Sequence, residues 1–232
     1  MPDLRPSAAA RAALAGGFCM IVLCTMLVQH AWPLMTGEAC YLRVRPVDPR
    51  DLFRGDYVVL GYDINQILVR PGAEPLTDEG TTTIPPSEEL WDALVESGRG
   101  DPGFRTWRDE VLYLQLEATV SDLAGVPAIH RAVSIGTAPV EGRINLKGRA
   151  RTIWREAASD PIGSVHMTMH YGIDAFFVQE GTGKGIEDAM RGGEVHAVLA
   201  VTSSGRARLR DLVIDGRRWS DRVSGGEAAP PD

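Results

Sequence analysis

Lysine is nearly absent from this chain: Lys147 and Lys184 are the only ones. A hydrolase that activates serine with a neighbouring lysine therefore has almost nothing to draw on. The 24 lysines and arginines against 31 acidic residues give a net charge of -7. The basic residues are scattered and form no stripe, so the sequence carries no nucleic-acid footprint and nucleic acid is not an expected partner. Cysteine is also sparse. Cys19 and Cys24 lie inside the apolar N-terminal run and Cys40 just beyond it, which excludes an intradomain disulfide framework and leaves the fold to rest on its core. Cys40 reads as a small buried hydrophobe, the alternatives being an intermolecular crosslink or a lipid attachment point. A lipoprotein cleavage site fits poorly, because Gly37-Glu38-Ala39 lacks the aliphatic residue expected three positions before the cysteine. No repeat of fixed period is present. With 44% hydrophobic and 24% charged residues over 232 positions, the chain is not compositionally disordered and can build one substantial core or two small ones.

The N-terminus supplies the one long apolar run. Residues 1–11 form a polar tail with Arg5 and Arg11, and no charge follows from Ala12 to Val28. Extended through Leu34, the run reaches the roughly 20 residues that cross a hydrocarbon core, with Trp32 where an interfacial aromatic belongs. A transmembrane anchor over 12–35 is the favoured reading. A cleaved signal peptide competes with it, but the run is longer than a usual signal core and ends without a convincing small-x-small site. A helix buried in a soluble core is the third reading, disfavoured because no polar face interrupts the run. Arg43, Arg45, Arg50 and Arg54 outnumber the two arginines before the segment, so counting alone puts the domain inside. Long domains, however, cross largely regardless of their charge, and a short basic head resembles a signal-anchor.

From Glu38 onward the pattern is mostly of period two. Cys40, Leu42 and Val44 alternate with Tyr41, Arg43 and Arg45, a strand leading into a turn at Asp48-Pro49. Residues 70–86, rich in proline, glycine and threonine, read as a loop, and Ser87 caps a short helix through Val95. Further strands are predicted at Val111–Val120, Val126–Ile135, Arg143–Ile153, Ser164–Tyr171, Glu194–Thr202 and Arg206–Ile214. Turn residues separate neighbours by hairpin-like distances, which favours antiparallel pairing. The expected fold is mainly β, with antiparallel sheets, barrel- or sandwich-like, one N-terminal transmembrane helix and one or two short helices. The domain spans 36–219, with two sheet units split near residue 100 left open, and residues 220–232 read as a disordered tail.

The stretch that organises this domain is Gly55-Asp56-Tyr57-Val58-Val59-Leu60-Gly61-Tyr62-Asp63-Ile64, with its run-in Asp48-Pro49-Arg50-Asp51-Leu52-Phe53-Arg54. Gly55 can supply a positive φ, after which Asp56, Val58, Leu60, Tyr62 and Ile64 share one face of a strand, the core face. The segment resembles the signature of the GDYXXLXY family, membrane-anchored bacterial proteins without an assigned activity, and Gly55, Asp56, Tyr57, Leu60 and Tyr62 occupy every fixed position of the pattern. A second block, Tyr171 to Met190, is similar to the family's downstream block: a strand carrying Phe176, Phe177 and Val178 after Tyr171-Gly172, then a glycine turn at Gly181 and Gly183 flanked by Glu180, then a short helix with Glu187. The resemblance implies a domain outside the inner membrane, on the periplasmic side, and a companionship with multi-spanning membrane proteins.

Four constellations invite chemistry. Gly181-Thr182-Gly183-Lys184-Gly185 suggests a phosphate loop, but Val178 stands where a Walker loop needs glycine and Gly185 where it needs Ser or Thr. The turn before Gly55 resembles that of signal peptidases, yet Val47 occupies the nucleophile's position. His166 and His170 share a strand face with Thr168, roughly 13 Å apart. Met167 and Met169 take the other face, so one metal ion could be held only with His130 or His196 and a bent strand. Asp48, Arg50, Asp51, Arg54 and Asp56 form a dense charged turn that reads as structural, or as a docking point for a partner's external loops or lipid headgroups. No convergent catalytic set is found and no cofactor is expected. The expectation is an anchored envelope accessory or interaction domain partnering a multi-spanning membrane protein. The alternatives are a periplasmic ligand- or metal-binding sensor using His166 and His170 and, less favoured, an envelope hydrolase.

Overall fold

A computed structural model describes residues 7–45, 57–78, 80–97, 110–155, 164–178, 182, 185–186, 189–190 and 194–224. In chain order, α1 (Ala8–Thr36) leads into β1 (Glu38–Arg45), β2 (Tyr57–Val59) and β3 (Gly61–Tyr62), then a 3₁₀ turn (Asp63–Asn65) and β4 (Gln66–Val69). β5 (Leu76–Asp78), β6 (Thr81–Ile84) and α2 (Glu88–Ser97) follow, then the long strands β7 (Glu110–Val120), β8 (Ala128–Gly136) and β9 (Ile144–Arg155). The chain continues through β10 (Val165–His170), β11 (Ala175–Phe177), β12 (Val195–Val201), β13 (Ala207–Ile214), β14 (Arg217–Arg218) and α3 (Trp219–Ser224). The fold is mainly β, 48% strand, with antiparallel sheets and a half-barrel.

The strands fall into a five-stranded sheet ordered β14-β13-β12-β1-β3, a seven-stranded sheet ordered β5-β6-β4-β10-β9-β7-β8, and a two-stranded ribbon β11-β2. Both large sheets draw strands from either side of residue 100. The six long strands predicted from Val111 onward are all present, shifted at their ends by one or two residues. β12 is buried along its whole length because sheet neighbours flank it and apolar layers cover both faces. On one side lies the main core. On the other, Tyr41, Val126, Val198 and Val213 form a small second cluster, which is why Tyr41 is buried although it alternates with Cys40 and Leu42. There β1 meets the seven-stranded sheet: the Tyr41 amide donates to Nδ1 of His130 on β8, 3.1 Å away.

Two readings of the sequence need correction. The signature is not one strand. It breaks at Leu60, with β2 pairing β11 and β3 pairing β1, and then closes into the 3₁₀ turn. Residues 70–86 are not a bare loop either, because Thr81-Thr82-Thr83-Ile84 has the β-branched composition of a strand and pairs in parallel with β4, burying Thr82 and Ile84. Ser87 does cap α2, its Oγ accepting from the Leu90 amide at 3.3 Å.

α1 is long and apolar enough to span a membrane over Ala13–Thr36, 24 residues, and nearly all of it is exposed, with Pro33 buried where the helix end meets the sheet. It joins the sheet without a spacer. The Gly37 amide donates to the Pro33 carbonyl at 2.8 Å, closing the helix. A Cβ at Gly37 would meet that carbonyl oxygen and also backbone atoms of Ala200 and Val201 at 2.8 and 2.9 Å, so only glycine lets the helix end lie against β12.

Two measurements follow from this packing. A Cβ at Gly148 on β9 would lie 2.6 and 2.8 Å from the Tyr171 ring and 2.9 Å from Met169 Cε. Gly148→Ala is expected to destabilise the fold by about 1–3 kcal/mol through overpacking, read as a lower melting temperature of the detergent-solubilised chain. His130 and His196 are both held below the usual imidazole range, each chiefly by burial; Arg43 further lowers His196. With a folded pKa below the unfolded one, each contributes stability that is fully present above about pH 6.5 and is lost as the pH falls toward the folded value. Melting temperature should therefore drop between pH 7.5 and pH 5, and His130→Leu should flatten part of that slope while lowering stability at pH 7.5.

Candidate functional site

The signature and the second block are one structure. Val58, Leu60, Tyr62 and Ile64 are all buried, as the period-two reading of the core face requires, although Ile64 reaches the core from the 3₁₀ turn and not from a strand. β2 lies antiparallel to β11, with Val59 opposite Ala175, Val58 opposite Phe176 and Tyr57 opposite Phe177. The Leu60 amide extends this ladder by donating to the Asp174 carbonyl at 2.9 Å. Gly172, at φ +69°, turns the chain between β10 and β11 so that the two blocks can face each other.

Two tyrosine hydroxyls then tie the blocks reciprocally. Tyr62 of the signature donates to the carbonyl of Ile173 in the second block at 2.7 Å. Tyr171 of the second block donates to the carbonyl of Ile64 in the signature at 2.9 Å. Burial pushes both phenols far above their ordinary range, and for Tyr62 the nearby Asp174 carboxylate adds to the effect. Both hydroxyls are thus neutral, and each satisfies a backbone carbonyl that water cannot reach. Asn65 reinforces the pair: its Oδ1 accepts from the Tyr62 amide at 2.8 Å, and its Nδ2 donates to the Met169 carbonyl at 3.0 Å. Arg45, at the end of β1, reaches Asp63 at 3.0 Å. Nothing in this set is poised for proton transfer. It fixes the backbone of the signature and displays what lies on its outer side.

That outer side is apolar. Phe177 is 77% exposed and Val59 is 36% exposed. The Tyr57 and Phe177 rings lie 6.0 Å apart at 48°, a tilted pair on the outer face of the ribbon. Asn65 and the contact between the two motif aromatics Tyr57 and Phe177 escaped the sequence reading. An asparagine three residues after a strand tyrosine is compatible with a cap, but only the fold shows that its amide bridges to β10.

Several predicted site residues lie outside the described residues: Asp48, Pro49, Arg50, Asp51, Arg54, Gly55 and Asp56 of the run-in, and Glu180, Gly181, Gly183 and Glu187 of the second block. Beyond them Gly185, Ile186, Ala189 and Met190 are helical, where a short helix near Gly185 is expected, and Ile186 and Met190 are buried. His166 stacks on Trp154 at 3.8 Å and 5°, His170 is exposed, and Met167 and Met169 turn into the core. Among the described residues no three His, Cys, Asp or Glu side chains gather where they could hold a metal ion. Cys40 is a free, fully buried thiol pushed up by burial, with Glu38 adding to the shift.

With this geometry in view, the chain matches the family described as GDYXXLXY protein over residues 19–212, and it belongs to that family. Comparison with curated proteins and with solved structures gives no match.

The lock is testable by paired substitution. Tyr62→Phe and Tyr171→Phe each remove one hydroxyl and leave a buried carbonyl unpaired, with an expected loss of about 1–3 kcal/mol apiece in thermal or denaturant unfolding. Because both ties join the same two segments, the double variant should lose measurably less or more than the sum, by at least about 0.5 kcal/mol.

Proposed function

We propose that this chain is a single-pass envelope protein whose β domain stands on the periplasmic side of the inner membrane and works as an accessory to a multi-spanning membrane protein, without chemistry of its own. The observation that carries the proposal is the β2–β11 ribbon. The two buried tyrosine ties fix the backbone adjoining it, yet its outer face carries exposed Val59 and Phe177 with half-buried Tyr57. Such rigidity beside a partly exposed aromatic pair suits a surface that docks, since aromatic side chains dominate interface energetics. Both outer edges of the ribbon are unpaired among the described residues, so a partner segment could also add as a strand.

The way the domain is mounted supports a partner in the same bilayer. α1 leads without a spacer into β1, and the end of β1 pairs with β3 of the signature. An eight-residue strand sets the ribbon roughly 25 Å beyond the end of α1. A protein fixed in the same bilayer, with loops reaching that height, meets the ribbon repeatedly at high effective concentration, whereas a freely diffusing partner does not. The charged residues Asp48, Arg50, Asp51 and Arg54 precede Tyr57 in the chain.

A photoreactive side chain at Phe177 in the full chain, activated in intact cells, is expected to give a discrete adduct with a membrane protein, and Phe177→Asp should weaken recovery of that partner by tenfold or more. A membrane-inserted, folded chain that yields no membrane-protein adduct would sink the proposal.

A further inference from the structure

The hairpin between β12 and β13 lies at the foot of the domain, beside the end of α1. Glu38 pairs with Val201, and Val201 with Ala207, so all three occupy one row immediately after the helix. The hairpin turn is well held: the Thr202 amide donates to the Arg206 carbonyl at 2.9 Å, and the Lys147 amide of β9 donates to the Gly205 carbonyl at 2.8 Å. From this row β13 climbs away from the helix. Ala207 and Leu209 pack against the core, Arg208 lies half-buried on the opposite face, and Arg206 in the turn and Arg210 at a β-bulge are exposed. Among the described residues this part of β13 has no strand on its outer side, because β14 pairs only with Val213 and Ile214. The ion pairs formed among the described residues, Arg45–Asp63 and Arg222–Asp215, leave these three arginines out. Two carboxylates of the same sheet are engaged or placed elsewhere: Asp211 is buried on the Ser220 hydroxyl and amide, and Glu38 lies on β1, with β12 between.

We infer that Arg206, Arg208 and Arg210 bind the phosphates of anionic phospholipid headgroups in the leaflet next to the domain. The inference rests on the anchored reading of α1. A 24-residue span is about 36 Å long, against a hydrocarbon core of roughly 30 Å, so its last turn lies in the headgroup layer. The three arginines then fall within roughly the first 13 Å of strand above that level. Guanidinium groups stay charged at all relevant pH and match phosphate oxygens in bidentate geometry. Gly37 holds the helix end against β12, which keeps these three arginines close to the helix end. Net negative lipids are preferred because each basic residue near an anionic surface adds an attraction that zwitterionic lipid lacks.

The test uses the full chain in nanodiscs of equimolar phosphatidylglycerol and phosphatidylcholine, with the lipids retained after release counted by native mass spectrometry. The wild-type chain is expected to keep phosphatidylglycerol in roughly tenfold or greater excess, and the triple variant Arg206→Gln, Arg208→Gln, Arg210→Gln to return to near parity. Parity in the wild type, or an undiminished excess in the variant, overturns the inference while leaving the anchor intact. Failure of the chain to co-purify with discs of any composition overturns the anchor and the inference together.

Discussion

Two buried hydroxyls, Tyr62 on Ile173 and Tyr171 on Ile64, are the constraint on which this architecture depends. Each comes from one block and ends on the backbone of the other, so neither block can adopt its shape alone. The signature is awkward as a strand: it leaves one sheet at Val59, joins another at Gly61 and turns at Asp63. Every such change of sheet strands backbone groups that regular ladders would have satisfied. The tyrosines, the Asn65 amide and the Leu60–Asp174 bond supply those missing partners. Spacing in the signature is thereby explained. Leu60 must enter the core where the ladder breaks, and Tyr62 must point inward two residues later to reach across.

Much of this fold was legible because period-two alternation is local. Long strands such as β7, β9, β12 and β13 announce themselves, since one face or both must be apolar. Short pieces were harder. Thr81–Ile84 lies among glycine and proline, and its strand character comes from parallel pairing with β4, a contact no local pattern encodes. The break at Leu60 was invisible for a related reason, since alternation of buried residues continues through it even though the hydrogen bonds change partners. At the candidate site, the core face of the signature could be read directly, whereas the reciprocal ties could not. They join residues 107 and 111 positions apart, and a tyrosine in sequence does not say which carbonyl it will meet.

The histidines make the same point in reverse. His166 and His170 suggested a metal site by composition, yet alternation already placed them on a face away from the methionines, and in the fold His166 is engaged by the indole of Trp154. The buried histidines took other roles. His130 accepts a backbone amide across a sheet-to-sheet contact, a task that needs an unprotonated nitrogen and explains why an ionisable residue sits in an otherwise apolar seam.

Gly37 has a mechanical meaning beyond its fit. A helix longer than the hydrocarbon layer it crosses accommodates by tilting. Here the helix end and the β-sheet share a close-packed joint, so an inclination of the helix is transmitted to the domain as a lean of the whole body. Across roughly 25 Å of strand, such a lever converts a few degrees of inclination into a lateral sweep of one or two ångströms at the aromatic ribbon. In the anchored arrangement proposed above, the height and aim of that ribbon are coupled to the thickness of the membrane.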